Sequence, residues 1–193
     1  MTILIPFASY LFSDHLAGGE NRVVWGIVKE LDRRGHHLIV FAPRCSVRLP
    51  LRNTRAVEIG GYPFSPEQSY FRYRVDWWLY SIRAAWAAFR VLRRPQVDIV
   101  HHIRPAYLRR FSLAAALPAP FVYGPVTPVW ENVDARDADP PTGRRGSMGQ
   151  AMLLRLLRLV EKAAVPHLWD LTLTRARAIL TQIPRSAEGL PPT

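Results

Sequence analysis

Along the first 124 residues the apolar positions fall into blocks whose period switches between strand-like and helix-like. Thr2 to Tyr10 is almost continuously apolar over strand length, the pattern of a strand buried on both faces. Leu11 to Ala17 predicts a loop, with Ser13, Asp14 and His15 just ahead of Gly18-Gly19. Val23, Val24, Ile27, Val28 and Leu31 then recur at three- and four-residue spacing, which predicts an amphipathic helix. Arg33 and Arg34 sit in its last turn, where cations complement the helix dipole, and Gly35 supplies a left-handed stop. His37 to Phe41 is a short β-branched run of strand length. Strand, glycine turn, helix and strand make one βαβ unit, so the sheet it begins is expected to be parallel.

The blocks continue. Cys45 to Arg55 reads as irregular and basic, and Ala56 to Ile59 as a third strand ended by Gly60-Gly61-Tyr62-Pro63. Glu67 to Arg94 predicts the longest helix, with Val75, Trp78, Ile82, Ala85, Trp86 and Phe89 on one face and Arg83, Arg90 and Arg94 on another. Its Trp77, Trp78 and Tyr80 admit two readings, an interfacial anchor or part of a core-facing helix. Val97 to His102 is the next strand. Pro105 to Leu117 reads as a helix with proline in its first turn, and Pro120 to Tyr123 as a strand broken by Gly124-Pro125. Residues 126–150, rich in Pro, Gly, Asp and Arg, predict a long loop and the most mobile element. Ala151 to Ala164 predicts a basic amphipathic helix, with Leu153, Leu156, Leu157 and Val160 facing one way and Arg155, Arg158 and Lys162 another. A short helix from Pro166 to Thr174 and a last strand at Ala178 to Thr181 complete the pattern. Alternating β and α segments predict an α/β fold, a Rossmann-like doubly wound parallel sheet of six or seven strands in a single domain over residues 1–193.

Charge changes this picture more than composition does. The chain has 26 Lys and Arg against 15 Asp and Glu, a net charge of +11. Only Lys29 and Lys162 are lysines, so the surplus is nearly all arginine. Such a balance points to an anionic partner or to a coding habit that favours arginine. Cys45 is the single cysteine. The expectation is therefore no internal disulfide, no thiolate metal site and a reducing, cytoplasmic setting. Neither a signal peptide nor a run of about 20 apolar residues is visible, so no segment is expected to span a bilayer.

In an open parallel sheet, ligands bind beyond the carboxyl ends of the strands. Three segments fall there: Gly18-Gly19, His101-His102, and Gly124-Pro125 with Thr127. Glycines at a helix start let backbone amides approach a phosphate, which the dipole also favours. His101 and His102 end a strand, and alternation sends them to opposite faces, so at most one reaches the crevice to bond a sugar hydroxyl or move a proton. G-x-G-x-x-G and G-x-x-x-x-G-K-[ST] are both missing, which argues against a dinucleotide enzyme and a P-loop NTPase. No metal-spaced cluster and no G-x-S-x-G elbow appears.

Four stretches in order carry a likeness. Gly18-Gly19-Glu20-Asn21-Arg22-Val23, then Leu31 to His36, resemble the GG-x-E-R start and L-x-x-R-G-H turn of the N-terminal domain of family-4 glycosyltransferases of the GT-B fold. Asp98 to His102 resembles that family's D-[IV]-V-H segment, and Phe121 to Val126 its fVwGPvGG segment, with Thr127-Pro128 where paired glycines stand. The resemblance implies an acceptor-side domain in which Gly18, Gly19 and one of His101 or His102 lie against the donor diphosphate, the acceptor or the transferred sugar. It also implies a nucleotide-diphosphate sugar as donor substrate, no separate cofactor, and a glycan, lipid-linked or small-molecule acceptor. The nucleotide-sugar-binding half of such enzymes is a second Rossmann-like domain, expected to lie outside residues 1–193. That makes the chain a truncated product or a subunit completed by a separate donor-binding chain, with little or no activity alone. Arg83, Arg90, Arg155, Arg158 and Lys162 suggest docking on anionic lipid at the inner face of the cell membrane. The competing reading is a non-catalytic Rossmann-like module that binds an acidic partner. Nucleic acid is disfavoured, because the aromatics read as buried rather than interleaved with arginine.

Overall fold

A computed structural model describes residues 1–8, 10–16, 18–49, 51–61, 70–93, 97–103, 111–126 and 148–181. Six strands form one parallel sheet: β1 (Thr2–Phe7), β3 (His37–Ala42), β5 (Thr54–Glu58), β6 (Ile99–His102), β7 (Phe121–Val126) and β8 (Ala176–Thr181). Two further short strands, β2 (Phe12–Ser13) and β4 (Cys45–Ser46), pair with each other in parallel. The helices are α1 (Gly19–Arg33), α2 (Tyr70–Leu92) and α3 (Met148–Arg175), with a 3-10 turn at Leu113–Ala116. The large sheet runs β5-β3-β1-β6-β7-β8.

β1 is the axis of this order. It pairs with β3 from Thr2 opposite His37 to Ile5 opposite Val40, and with β6 at Ile3 opposite Ile99 and Phe7 opposite His102. Alternate side chains of β1 feed two different cores. Ile3 and Ile5 pack with Val24 and Val28 of α1 on one face. Leu4 and, beyond a register shift against β6 that breaks the alternation, Phe7 pack with Tyr80, Ala84 and Ala88 of α2 on the other, and the 3-10 turn and Trp169 of α3 join that second core. A sheet with helices on both faces leaves its central strands apolar throughout, which is why β1 shows no polar alternation.

Several expectations change. The loop assigned to Leu11–Ala17 contains β2, and the irregular stretch after Cys45 contains β4 and the start of β5. Two-residue strands are too short to show a period. The strand expected to break at Gly124-Pro125 continues to Val126 through a register shift against β8, with a cis Gly124-Pro125 bond and Gly124 at φ +119°. The two helices expected on either side of Pro166 are one helix that contains it. Proline forfeits a single ladder bond there, and the helix runs on past it to Arg175. Of the helix expected at Pro105–Leu117, the described part is the 3-10 turn.

The buried face of α2 is also not the expected one. Tyr80, Ser81, Ala84 and Ala88 are buried, whereas Ile82 is 54% and Trp86 61% exposed. Apolar residues run all round this helix, so hydrophobic spacing offers more than one stripe. The stripe with alanines wins because it lets the helix backbone approach the sheet closely. Trp77 packs 6.2 Å from the Phe7 ring and Trp78 5.0 Å from Phe111, which places the aromatic end of α2 in the core rather than at an interface. On α3, Leu156 and Val160 of the expected apolar face are exposed. The expected long loop is outside the described residues from 127 to 147, as are Arg94 and the side chains of Leu153, Leu157 and Arg158.

Candidate functional site

Between β1 and β6 the strand order reverses direction, so the crevice of this sheet opens beyond the carboxyl ends of those two strands. Chain leaving β1 passes through β2 and reaches the first turn of α1. Gly18 is the N-cap, extended at φ −131° and ψ 148°, and no side chain caps the helix there. The α1 start therefore presents backbone N–H groups and the positive end of a 15-residue helix to the crevice. A methyl group added at Gly19 would meet nothing within 4 Å, while one at Gly18 would come 2.9 Å from the Tyr10 hydroxyl. The open space at Gly19 is what a close backbone approach by a ligand needs.

The loop before α1 is pinned from within. Buried Asn21 accepts the Ser13 N–H at 3.2 Å and donates to the carbonyls of Ser13 and Leu16 at 2.9 and 2.7 Å. Ser13 Oγ accepts the N–H groups of His15 and Leu16. Asp14 accepts the N–H groups of Arg48 and Leu49 and the Nδ1–H of His15 at 2.7 Å. The His15 bond comes first among the causes that hold the Asp14 carboxyl far below its usual range. On its other side, His15 Nε2 stands 3.5 Å from Ser46 Oγ, which β4 brings alongside β2.

The two histidines of β6 separate as strand alternation requires. His101 is 7% exposed, and its Nε2–H donates to the Gly124 carbonyl at 2.8 Å. Burial holds its imidazole below the ordinary value, partly opposed by that bond. His102 is wholly buried, stacked 4.7 Å from the Phe7 ring, with Nδ1 2.6 Å from Ser112 Oγ. The Ser112 N–H continues to Thr172 Oγ1, and Thr172 to the Leu168 carbonyl, so a polar chain ties the end of β6 to α3. Of this pair, His101 is the one that stands beside the glycine of β7. Gly124 has a packing reason of its own, since a side chain there would strike the Leu180 carbonyl. Pro125 is half-buried beside it, and Thr127 lies outside the described residues.

The profile of glycosyltransferase family 4 matches residues 17–160. This chain belongs to glycosyltransferase family 4. The match begins beside the α1 start, takes in β6 and β7, and ends inside α3 at residue 160. No curated protein matches the chain. Membership brings a glycosyltransferase-type function and sugar donor and acceptor substrates in general terms, and the Rossmann-like α/β sheet agrees with it.

In this family-4 chain, the basic residues expected at a membrane are dispersed. Arg83 and Arg90 are exposed on α2, and Arg155 and Lys162 on α3, where Met152, Leu156, Leu159 and Val160 are exposed near them. No helix among the described residues is long and apolar enough to cross a membrane. Nor does any group of three or more His, Cys, Asp or Glu gather to hold a metal among them. Sequence reasoning placed Ser13, Asp14 and His15 near the glycine turn without giving them a role. The partners that define them, Ser46 and Arg48, are over thirty positions away and arrive through β4. The adjacent Asp-His pair before a glycine helix start was the only local signal.

Proposed function

We propose that this chain forms the acceptor-side half of a two-domain glycosyltransferase. The complete enzyme moves a hexosyl group from a nucleotide-diphosphate sugar to a glycan, lipid-linked or small-molecule acceptor. The observation that carries this reading is the uncapped, glycine-led start of α1 at the strand-order reversal of a family-4 sheet. Transfer frees a diphosphate, and stabilising its growing charge is the dominant catalytic term for such a reaction. Backbone N–H groups at Gly18 and Gly19 suit that task from this side. His101, rather than core-buried His102, is assigned to the transferred sugar, with Gly124 and Pro125 forming the adjoining rim.

A single sheet edge supplies one wall of such a site, and a second nucleotide-binding half supplies the other. The 193-residue polypeptide alone should therefore transfer no sugar, and addition of a donor-binding half, fused or separate, should start turnover. Release of nucleoside diphosphate, measured with and without that half, tests both statements. Turnover by the isolated polypeptide refutes the division of labour. We also assign the exposed arginines and Lys162 to an anionic membrane surface at the inner face of the cell, where a lipid-linked acceptor would lie.

A further inference from the structure

Beside the first turn of α1 lies a cleft of about 170 Å³, lined among others by Ser13, Asp14, His15, Asn21, Arg22 and Trp25. Most of its polar lining is already committed. Asn21 spends its amide on Ser13 and Leu16. Ser13 Oγ is occupied by two backbone N–H groups, and the Asp14 carboxylate by two more and by His15.

Two groups are not committed. Arg22 is exposed, and its guanidinium has no hydrogen bond or ion pair among the described residues. A carboxylate only accepts, so the His15–Asp14 contact puts the proton on Nδ1 and turns Nε2 towards any further partner. Its partner within the fold, Ser46 Oγ, is 3.5 Å away, at the outer limit of a hydrogen bond. The third distinctive lining group is the half-buried Trp25 indole, held 5.3 Å from the Phe12 ring.

We propose that this cleft binds an anionic sugar, a hydroxylated ring bearing phosphate or carboxylate, as the acceptor. Arg22 takes the anion, His15 Nε2 takes a ring hydroxyl, and Trp25 offers its face to the ring. The inference deepens the acceptor-side reading above and rests on it. Arginine suits this place because its planar fork matches phosphate and carboxylate oxygens. The positive end of α1 adds to the same field. The one negative side chain of the described lining, Asp14, is offset by its three donors. Asp14 acts as a positioning residue: it fixes the imidazole tautomer without touching the sugar. At roughly 30 Å³ per water in the liquid, the cleft exceeds what a lone ion fills.

The test is an NMR titration of the 193-residue protein with glucose 6-phosphate, glucuronate, glucose and inorganic phosphate. The His15 imidazole and Trp25 indole signals report the binding. Either anionic sugar should shift both saturably, glucose should bind more weakly, and phosphate alone should leave Trp25 in place. Arg22→Gln, at an exposed position, should weaken the anionic sugars by about tenfold, the loss of one charge-assisted contact. It should leave neutral glucose unchanged, while His15→Gln should weaken all three sugars. Each variant is checked for native circular dichroism first. The absence of saturable shifts overturns the proposal. So does an R22Q protein that binds like the parent, or phosphate that binds as tightly as the sugar phosphate. Its failure is separable from that of the function reading. Transfer by the complete enzyme that is unimpaired by R22Q removes the subsite and keeps the transferase. Sugar binding without any transfer does the reverse.

Discussion

His101 is the residue whose protonation the fold most directly controls. Burial depresses its imidazole below the ordinary 6.5. Just below that value the unfolded chain takes up a proton that the native state refuses, so stability is complete above it and declines as the pH falls through it. His101→Gln keeps an N–H donor for the Gly124 carbonyl and removes the titration. The fall in urea midpoint between about pH 7 and about pH 5 should shrink in that variant. Ser112 makes a second test. Its Oγ partners His102 Nδ1 and accepts the Ala114 N–H, all in the buried core. Ser112→Ala should cost about 1–3 kcal/mol in denaturant titrations, since it removes a buried hydrogen-bond partner from each. At this scale the histidine pair was legible as two residues of opposite fate, because alternation needs only adjacency. Which one is core could not be read, since Phe7, Ser112 and Thr172 meet His102 only in the folded chain.

Among the elements, the glycines at the crevice divide by what surrounds them. Gly124 has positive φ and the Leu180 carbonyl against it, so Gly124→Ala should lower stability by on the order of 3 kcal/mol and disturb His101 through the shared carbonyl. Gly19 has open space, so Gly19→Ala should stay within about 0.5 kcal/mol of the parent in thermal unfolding. In the complete enzyme the same change should slow transfer about tenfold or more, because an added methyl shifts the reacting groups. Equal loss of stability at both sites would contradict this division. The α1 unit was readable almost residue by residue, since an amphipathic stripe, basic last turn and glycine stop all agree. α2 was readable as a helix but not in its rotation, because its apolar residues do not single out one face. β2 and β4 were invisible, being held by each other rather than by any local propensity.

Over the whole molecule, the class of fold was legible because alternating blocks leave few alternatives. The cleft was not: its described lining is local, residues 13–25, but Asp14 and His15 are held in place there by Ser46, Arg48 and Leu49, over thirty positions away. The charge of +11 belongs to this scale too. Retention on anionic vesicles should fall as salt rises past about 0.1 M, where screening acts within about 10 Å. Reversing Arg155 and Lys162 to glutamate together should reduce retention by at least about tenfold, at about 1 kcal/mol per basic side chain. Retention indifferent to lipid charge would remove the membrane from the proposal.

The strand order also bears on how the chain reaches its native state. β5, β3 and β1 are neighbours in sequence as well as in the sheet, so loop closure between them is inexpensive. β6 joins β1 only by bringing Ile99 beside Ile3, and everything on that side must wait for the closure. A folding nucleus in β1, α1 and β3 follows from topology alone. Pulse-labelling hydrogen exchange during refolding should protect Val40 before Val100. On the ribosome, the half of the crevice that carries the glycine turn would then form while the half that carries the histidines is still being made.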